Sequence, residues 1–106
     1  MTFYHSTKGF EMDRVFIEWG NLERTEALES LVFEKAEKFF KIHSKATKMI
    51  VTFKIINPIT SAGPATQKVT MELRLPQKQD IRASKEGTDA YRLVHDAEKA
   101  LMAQVR

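Results

Sequence analysis

The chain has 106 residues, 42% hydrophobic and 29% charged, with a formal net charge of +3 and no cysteine. That length suits a single domain, and the balance is that of a folded soluble chain, not a disordered tail. The lack of cysteine excludes disulfides, thiolate zinc sites and cysteine nucleophiles. No run nears the roughly 18 apolar residues of a membrane span, and the opening residues lack the apolar stretch of a signal peptide, so a cytoplasmic location is expected.

Residues 1–12 mix Gly, Ser, Thr and charge without a period and read as a flexible leader, which leaves 13–106 as the domain. From Arg14 to Trp19 the pattern alternates, with Val15, Ile17 and Trp19 on one side and Arg14, Phe16 and Glu18 on the other. This predicts a half-buried strand ended by Gly20 and Asn21. Thr25 is placed to cap a helix that carries Leu28, Leu31, Val32, Ala36 and Phe39 on one stripe and runs to about Lys41 or Ile42. Period two returns from Thr47 to Ile56, with Met49, Val51, Phe53 and Ile55 inward and Ile50, Thr52, Lys54 and Ile56 outward. Asn57-Pro58 stops that strand, and a Pro- and Gly-containing connection leads to Thr66.

A third strand follows, in which Val69, Met71, Leu73 and Leu75 alternate with Lys68, Thr70, Glu72 and Arg74 up to Pro76. Ile81 to Lys85 predicts a fourth, closed by Gly87. Thr88 or Asp89 can then cap a last helix bearing Ala90, Val94, Ala97, Leu101 and Val105. The order is β-α-β-β-β-α. One apolar face per element predicts a two-layer α+β sandwich: a four-stranded sheet with both helices on one face and the other face turned outward.

Charge is unevenly spread along this plan. From Lys41 to Lys85 there are nine basic residues and two acidic ones, a local balance of +7 in a chain whose total is +3. Because Lys54, Lys68, Arg74 and Arg82 fall at outward positions, the excess is expected to form a surface on the open sheet face and its edges, suited to phosphates.

Two stretches resemble a known family. Asn21-Leu22-Glu23-Arg24-Thr25-Glu26-Ala27-Leu28 is similar to the strand-to-helix turn of the ribosome hibernation-promoting factors, also described as ribosome-associated inhibitors. Ile81-Arg82-Ala83-Ser84-Lys85-Glu86-Gly87-Thr88-Asp89-Ala90-Tyr91 resembles that family's last strand and the opening of its last helix. The correspondence runs from about Asp13 to Arg106, apart from extra residues in the 57–66 connection, and matches the short, single-domain form. It implies a β-α-β-β-β-α fold similar to double-stranded RNA-binding domains. It also implies binding to the small ribosomal subunit and its rRNA, in the channel that messenger and transfer RNA use, with translation silenced in stress or stationary phase.

Carried over by position, the resemblance implies RNA contacts from Lys35 and Lys38 on the first helix, Lys54 on the second strand and Arg82 on the fourth. Arg74 and Lys85 join them from the basic run, Arg92 from the last helix, and Phe16 as an outward aromatic that a nucleobase could stack on. Asp89 is expected to cap the last helix and Tyr91 to pack at the sheet edge. The sequence departs from the family at His95, Asp96, Lys99, Ala100 and Ala103, and residues 89–106 hold three basic and three acidic side chains.

Chemistry is not expected. His5, His43 and His95 have no spacing that gathers them into a metal site, and neither a glycine-rich phosphate loop nor a nucleophile elbow is present. Glu34 with Lys38 and Glu37 with Lys41 read as helix-face pairs. The reading is therefore of a non-enzymatic protein with no cofactor, metal or small-molecule substrate. The alternatives are a diverged protein-interaction module that has lost ribosome binding, or a general binder of structured RNA. Outward Phe16, Ile50 and Ile56 also leave room for weak self-association through the sheet or its edge.

Overall fold

Alternation and helical stripes resolve into β1 (Val15–Glu18), α1 (Glu26–Ile42), β2 (Lys48–Asn57), β3 (Thr66–Arg74), β4 (Ile81–Gly87) and α2 (Ala90–Gln104) in a computed structural model. It describes residues 14–57, 65–77 and 79–104. The expected leader, most of the 57–66 connection, Lys78 and Val105 lie outside the described residues. The strands form one sheet in the order β1-β2-β3-β4, with β1 parallel to β2 and the other pairs antiparallel. A parallel neighbour needs a crossover, and α1 supplies it.

The core lies between the sheet and the two helices. Met49, Val51 and Phe53 of β2 stand opposite Leu73, Met71 and Val69 of β3, and all six are fully buried. Val32, Ala36 and Phe39 of α1 and Val94, Ala97 and Leu101 of α2 close over them. Each such Phe, Leu or Val contributes about 1.5–3 kcal/mol through burial. Trp19 stacks on Phe53 with ring centroids 4.9 Å apart and an interplanar angle of 12°. Arg14, at the outward parity of β1, folds back instead: its guanidinium lies 4.1 Å from the Phe40 ring centre and donates to the Ala46 carbonyl at 2.8 Å.

The residues that carry the family resemblance build junctions. The Asn21 carboxamide accepts from Ile55 N–H at 2.8 Å and donates to Ile55 carbonyl at 3.3 Å, continuing the β1–β2 pairing with a side chain. Thr25 Oγ1 accepts from Leu28 N–H at 3.2 Å, as expected of an N-cap. Asp89 Oδ1 accepts from Tyr91 N–H at 3.0 Å and caps α2. Gly87 closes β4, as expected, and a side chain there would press on Leu93 Cδ2 at 3.2 Å. One expectation at this end changes. Tyr91 is not buried at the sheet edge: its N–H is held by Asp89 at the start of α2, and the residue is 43% exposed.

Gly20 holds the β1–α1 turn at φ +60°, and a Cβ there would collide with the Phe53 carbonyl oxygen. Gly20→Ala is expected to destabilise the protein by at least about 1–3 kcal/mol, from the left-handed strain and the clash together. Urea denaturation reads the change in midpoint, and an unchanged midpoint would show that the turn relaxes freely.

Candidate nucleic-acid interface

Cross-strand register sets out the uncovered face of the sheet in rows. Phe16, Ile50, Glu72 and Arg82 form one row across all four strands; Glu18, Thr52, Thr70 and Ser84 form the next; Lys54, Lys68 and Glu86 form a third. Lys48 and Arg74 face each other beyond the first row. The sequence therefore delivers the expected outward cations to one face, but they are not equivalent.

In the first row the charges neutralise one another. Glu72 Oε2 accepts from Arg74 Nε at 2.9 Å, Glu72 Oε1 accepts from Arg82 Nη2 at 3.3 Å, and Arg74 Nε also lies 3.1 Å from Asp80 Oδ2. Two guanidinium groups thus meet two carboxylates. Partial burial opposes ionisation of Glu72, but the hydrogen bonds and charges of Arg74 and Arg82 outweigh it and hold the carboxyl below its ordinary value. Arg74 is held above its ordinary value by its hydrogen bond to Glu72 and by that carboxylate's charge.

The third row differs. Lys54 and Lys68 stand directly opposite each other on neighbouring strands, and no ion pair engages either of them among the described residues. Like charges placed so repel; Glu86, opposite Lys68 on β4, offsets part of that repulsion, and an anion bridging the two lysines relieves more of it. Between these rows, Thr70 Oγ1 and Ser84 Oγ lie 2.9 Å apart in a hydrogen bond, and Thr52 Oγ1 donates to Glu18 Oε1 at 3.4 Å. Phe16, 46% exposed, has the Lys48 ammonium 5.1 Å from its ring centre, so one face of the ring carries a cation and the aromatic keeps its outward parity.

The helical layer holds the remaining candidates. Lys35 is 8% exposed, with its Nζ 3.5 Å from Glu98 Oε1, so it is not a surface lysine. It stands three residues after Val32 and four before Phe39, which turns it toward α2. Lys38 Nζ lies 3.2 Å from Glu98 Oε2, so the helix-face pairing expected with Glu34 gives way to a contact between helices. Glu98 Oε2 is buried and accepts no well-angled hydrogen bond; at this distance its contact with Lys38 is an ion pair. Arg92 is exposed on α2. Lys85 is exposed too, but it pairs with Val69 in register and so stands on the helix-covered side of β4, away from Arg82.

Lys48 and Glu98 are residues that sequence reasoning did not single out, although strand parity alone puts Lys48 on the outward face. Lys68 was read as an outward cation, but its facing of Lys54 required the strand register. A hollow of about 600 Å³ between the end of α1 and the β3–β4 connection is lined in part by Ile42, His43, Leu75 and Ile81, and none of the sheet-face cations borders it. No group of three or more His, Cys, Asp or Glu able to hold a metal occurs among the described residues, and no helix there is long and apolar enough to cross a membrane.

Residues 15–106 match the family model described as Sigma 54 modulation protein / S30EA ribosomal protein. Among curated proteins no sequence matches the chain. Among solved structures, the fold is similar to that of a ribosomal subunit interface protein from Coxiella burnetii, with a TM-score of 0.66 and 20% identity over 85% of this chain and 92% of that one. It is also similar to the N-terminal domain of Protein Y from Thermus thermophilus, with a TM-score of 0.57 and 23% identity over 86% of this chain and 91% of that one.

The depressed pKa of Glu72 makes its ion-pair network pH-dependent. A carboxyl lowered on folding stabilises the native state above its unfolded value, near 4.5, and that contribution fades as pH falls through the lower native value. The stability advantage of the parent over Glu72→Gln should be constant near neutral pH and shrink below about pH 4.5. Thermal melts across the acid range measure it, and a difference that stays constant to strongly acidic pH would show that the Glu72 charge contributes nothing.

Proposed function

The chain belongs to the Sigma 54 modulation protein / S30EA ribosomal protein family, whose members are ribosome-associated proteins of the hibernation type, and we propose that it binds the small ribosomal subunit through rRNA phosphates. In this reading it occupies the channel between head and body that messenger and transfer RNA would use, and silences translation in stress or stationary phase. It acts in the cytoplasm, makes and breaks no bond, and needs no cofactor.

The observation that carries the reading is Lys54 and Lys68 facing each other on the open sheet, with no ion pair to either among the described residues. Two ammonium groups in one cross-strand row suit a phosphodiester backbone, and they cost the free protein stability that an uncharged pair would not. Lys38, Lys85 and Arg92 extend the cationic surface around the helices and the β4 edge. Arg74 and Arg82 reach phosphates only in competition with Glu72. Phe16 offers its ring to a base, although the cation already over it favours a backbone contact nearby. Lysines and arginines on a broad face read shape and charge, not base edges.

Sedimentation of lysate from stressed cells should place the protein with small subunits or whole ribosomes. A profile confined to the soluble fraction in every growth state would sink the proposal and favour the diverged protein-interaction module. Lys54→Ala with Lys68→Ala should leave stability unchanged or slightly raised while flattening the slope of log K against log salt for small subunits by roughly 1.4–1.8, about 0.7–0.9 for each phosphate no longer neutralised. An unaltered slope would mean that the pair is an ordinary solvated surface.

A further inference from the structure

Glu98 is a buried carboxylate, 5% exposed, on which two lysines of the neighbouring helix converge. Its place in the helix explains the burial: Val94 stands four residues before it and Leu101 three after, and both are fully buried. Lys35, itself buried, lies beyond the reach of an RNA phosphate. Lys38 has a side chain that is 57% exposed, and its ammonium has three donors, enough to hold Glu98 and a phosphate oxygen together. The three side chains carry one net positive charge, although α1 contributes two.

We propose that Glu98 is an internal counter-charge that limits how strongly the helical layer attracts RNA, and that Lys35 governs Lys38 through it. The inference rests on the reading of the protein as an RNA-phosphate binder. Opposite charges this close, in a site shielded from water, interact more strongly than exposed ones. While Lys35 shares Glu98, part of the Lys38 charge is left to face outward. Without Lys35 the whole carboxylate falls to Lys38. Lys35 is therefore a positioning residue, since it acts on RNA only through another side chain.

The consequence is a pair of effects of opposite sign, which a purely structural role for the cluster does not give. E98Q raises the cluster from one net charge to two, and should tighten binding at low salt and steepen the salt slope by roughly 0.7–0.9. K35M lowers it to zero, and should flatten the slope by a similar amount although Lys35 touches no RNA. The double variant K35M/E98L replaces the buried pair with apolar side chains and leaves Lys38 alone, and should return to the parent slope. Between about 50 and 200 mM salt, each such step is roughly a threefold change in how far affinity falls.

The test is a salt series for the parent and the three variants, read by fluorescence anisotropy against purified small subunits and, separately, against a short protein-free RNA duplex, with circular dichroism to confirm folding. E98Q and K35M shifting the slope in opposite directions, with K35M/E98L restoring it, supports the inference. Equal signs for the two single variants, or no change in slope, overturn it. If E98Q fails to fold, the other two decide: flattening by K35M that the second substitution does not reverse overturns the proposal. A parent that binds the duplex but not the subunits overturns the ribosome reading alone, and the duplex series still decides the role of Glu98. A parent that binds neither overturns both.

Discussion

The pairing of β2 with β3 is the constraint on which everything else rests. Six side chains, Met49, Val51 and Phe53 against Leu73, Met71 and Val69, are wholly buried, and they leave one register available. A slip of one residue would turn a whole strand over, burying Lys48, Lys54 or Lys68 in an apolar layer with no partner. The same register sets Lys54 opposite Lys68 on the other face. The core and the candidate interface are thus two sides of one pairing, and the repulsion on the open face is tolerated because burial on the closed face is much larger.

The fold was legible because each of its elements has a local signature. The alternation of β2 and β3, the Thr25 cap and the Asp89 cap are written in residues a few positions apart, and the order and layer arrangement follow from them. Charge pairing was less legible, since it joins residues far apart in the chain: Glu72 reaches Arg82, and Lys35 reaches Glu98. The facing of Lys54 and Lys68 depends on where the hairpin turns, and a register irregularity between Ile55 and Asn57, ahead of a long connection, hides that from a count along the sequence. For Lys35 and Glu98 a signal did exist. Both sit at stripe positions of their helices, and a charged residue on a buried stripe asks for a partner on the element it faces.

Net charge is a poor guide to this surface. A basic excess between residues 41 and 85 suggested a cationic face, yet Glu72 and Asp80 engage both arginines there, and outside that run Glu98 engages Lys35 and Lys38. On the open sheet face, the lysines that no ion pair engages among the described residues are Lys48, which lies over the Phe16 ring, and Lys54 and Lys68 of the third row. Localisation favours specificity. A uniform cationic surface would bind any polyanion, whereas a few fixed cations separated by neutralised ground require phosphates at matching positions.

The sheet and the helical layer therefore present charge differently. On the sheet, Lys54 and Lys68 are held apart by the backbone spacing of paired strands and need no side-chain partner to define their origin. In the helical layer, Lys38 is a long flexible side chain, and its contact with Glu98 helps fix where its ammonium stands. Fixing a side chain before binding removes entropy that would otherwise be lost on binding, but here the fixing group is an anion and also weakens the attraction. In the proposed RNA-binding role, against a polyanion, an extra unit of attraction is counted in released counterions and outweighs the ordering of one lysine. The acid in the seam between the helices is therefore better understood as a limit on binding strength than as an aid to it.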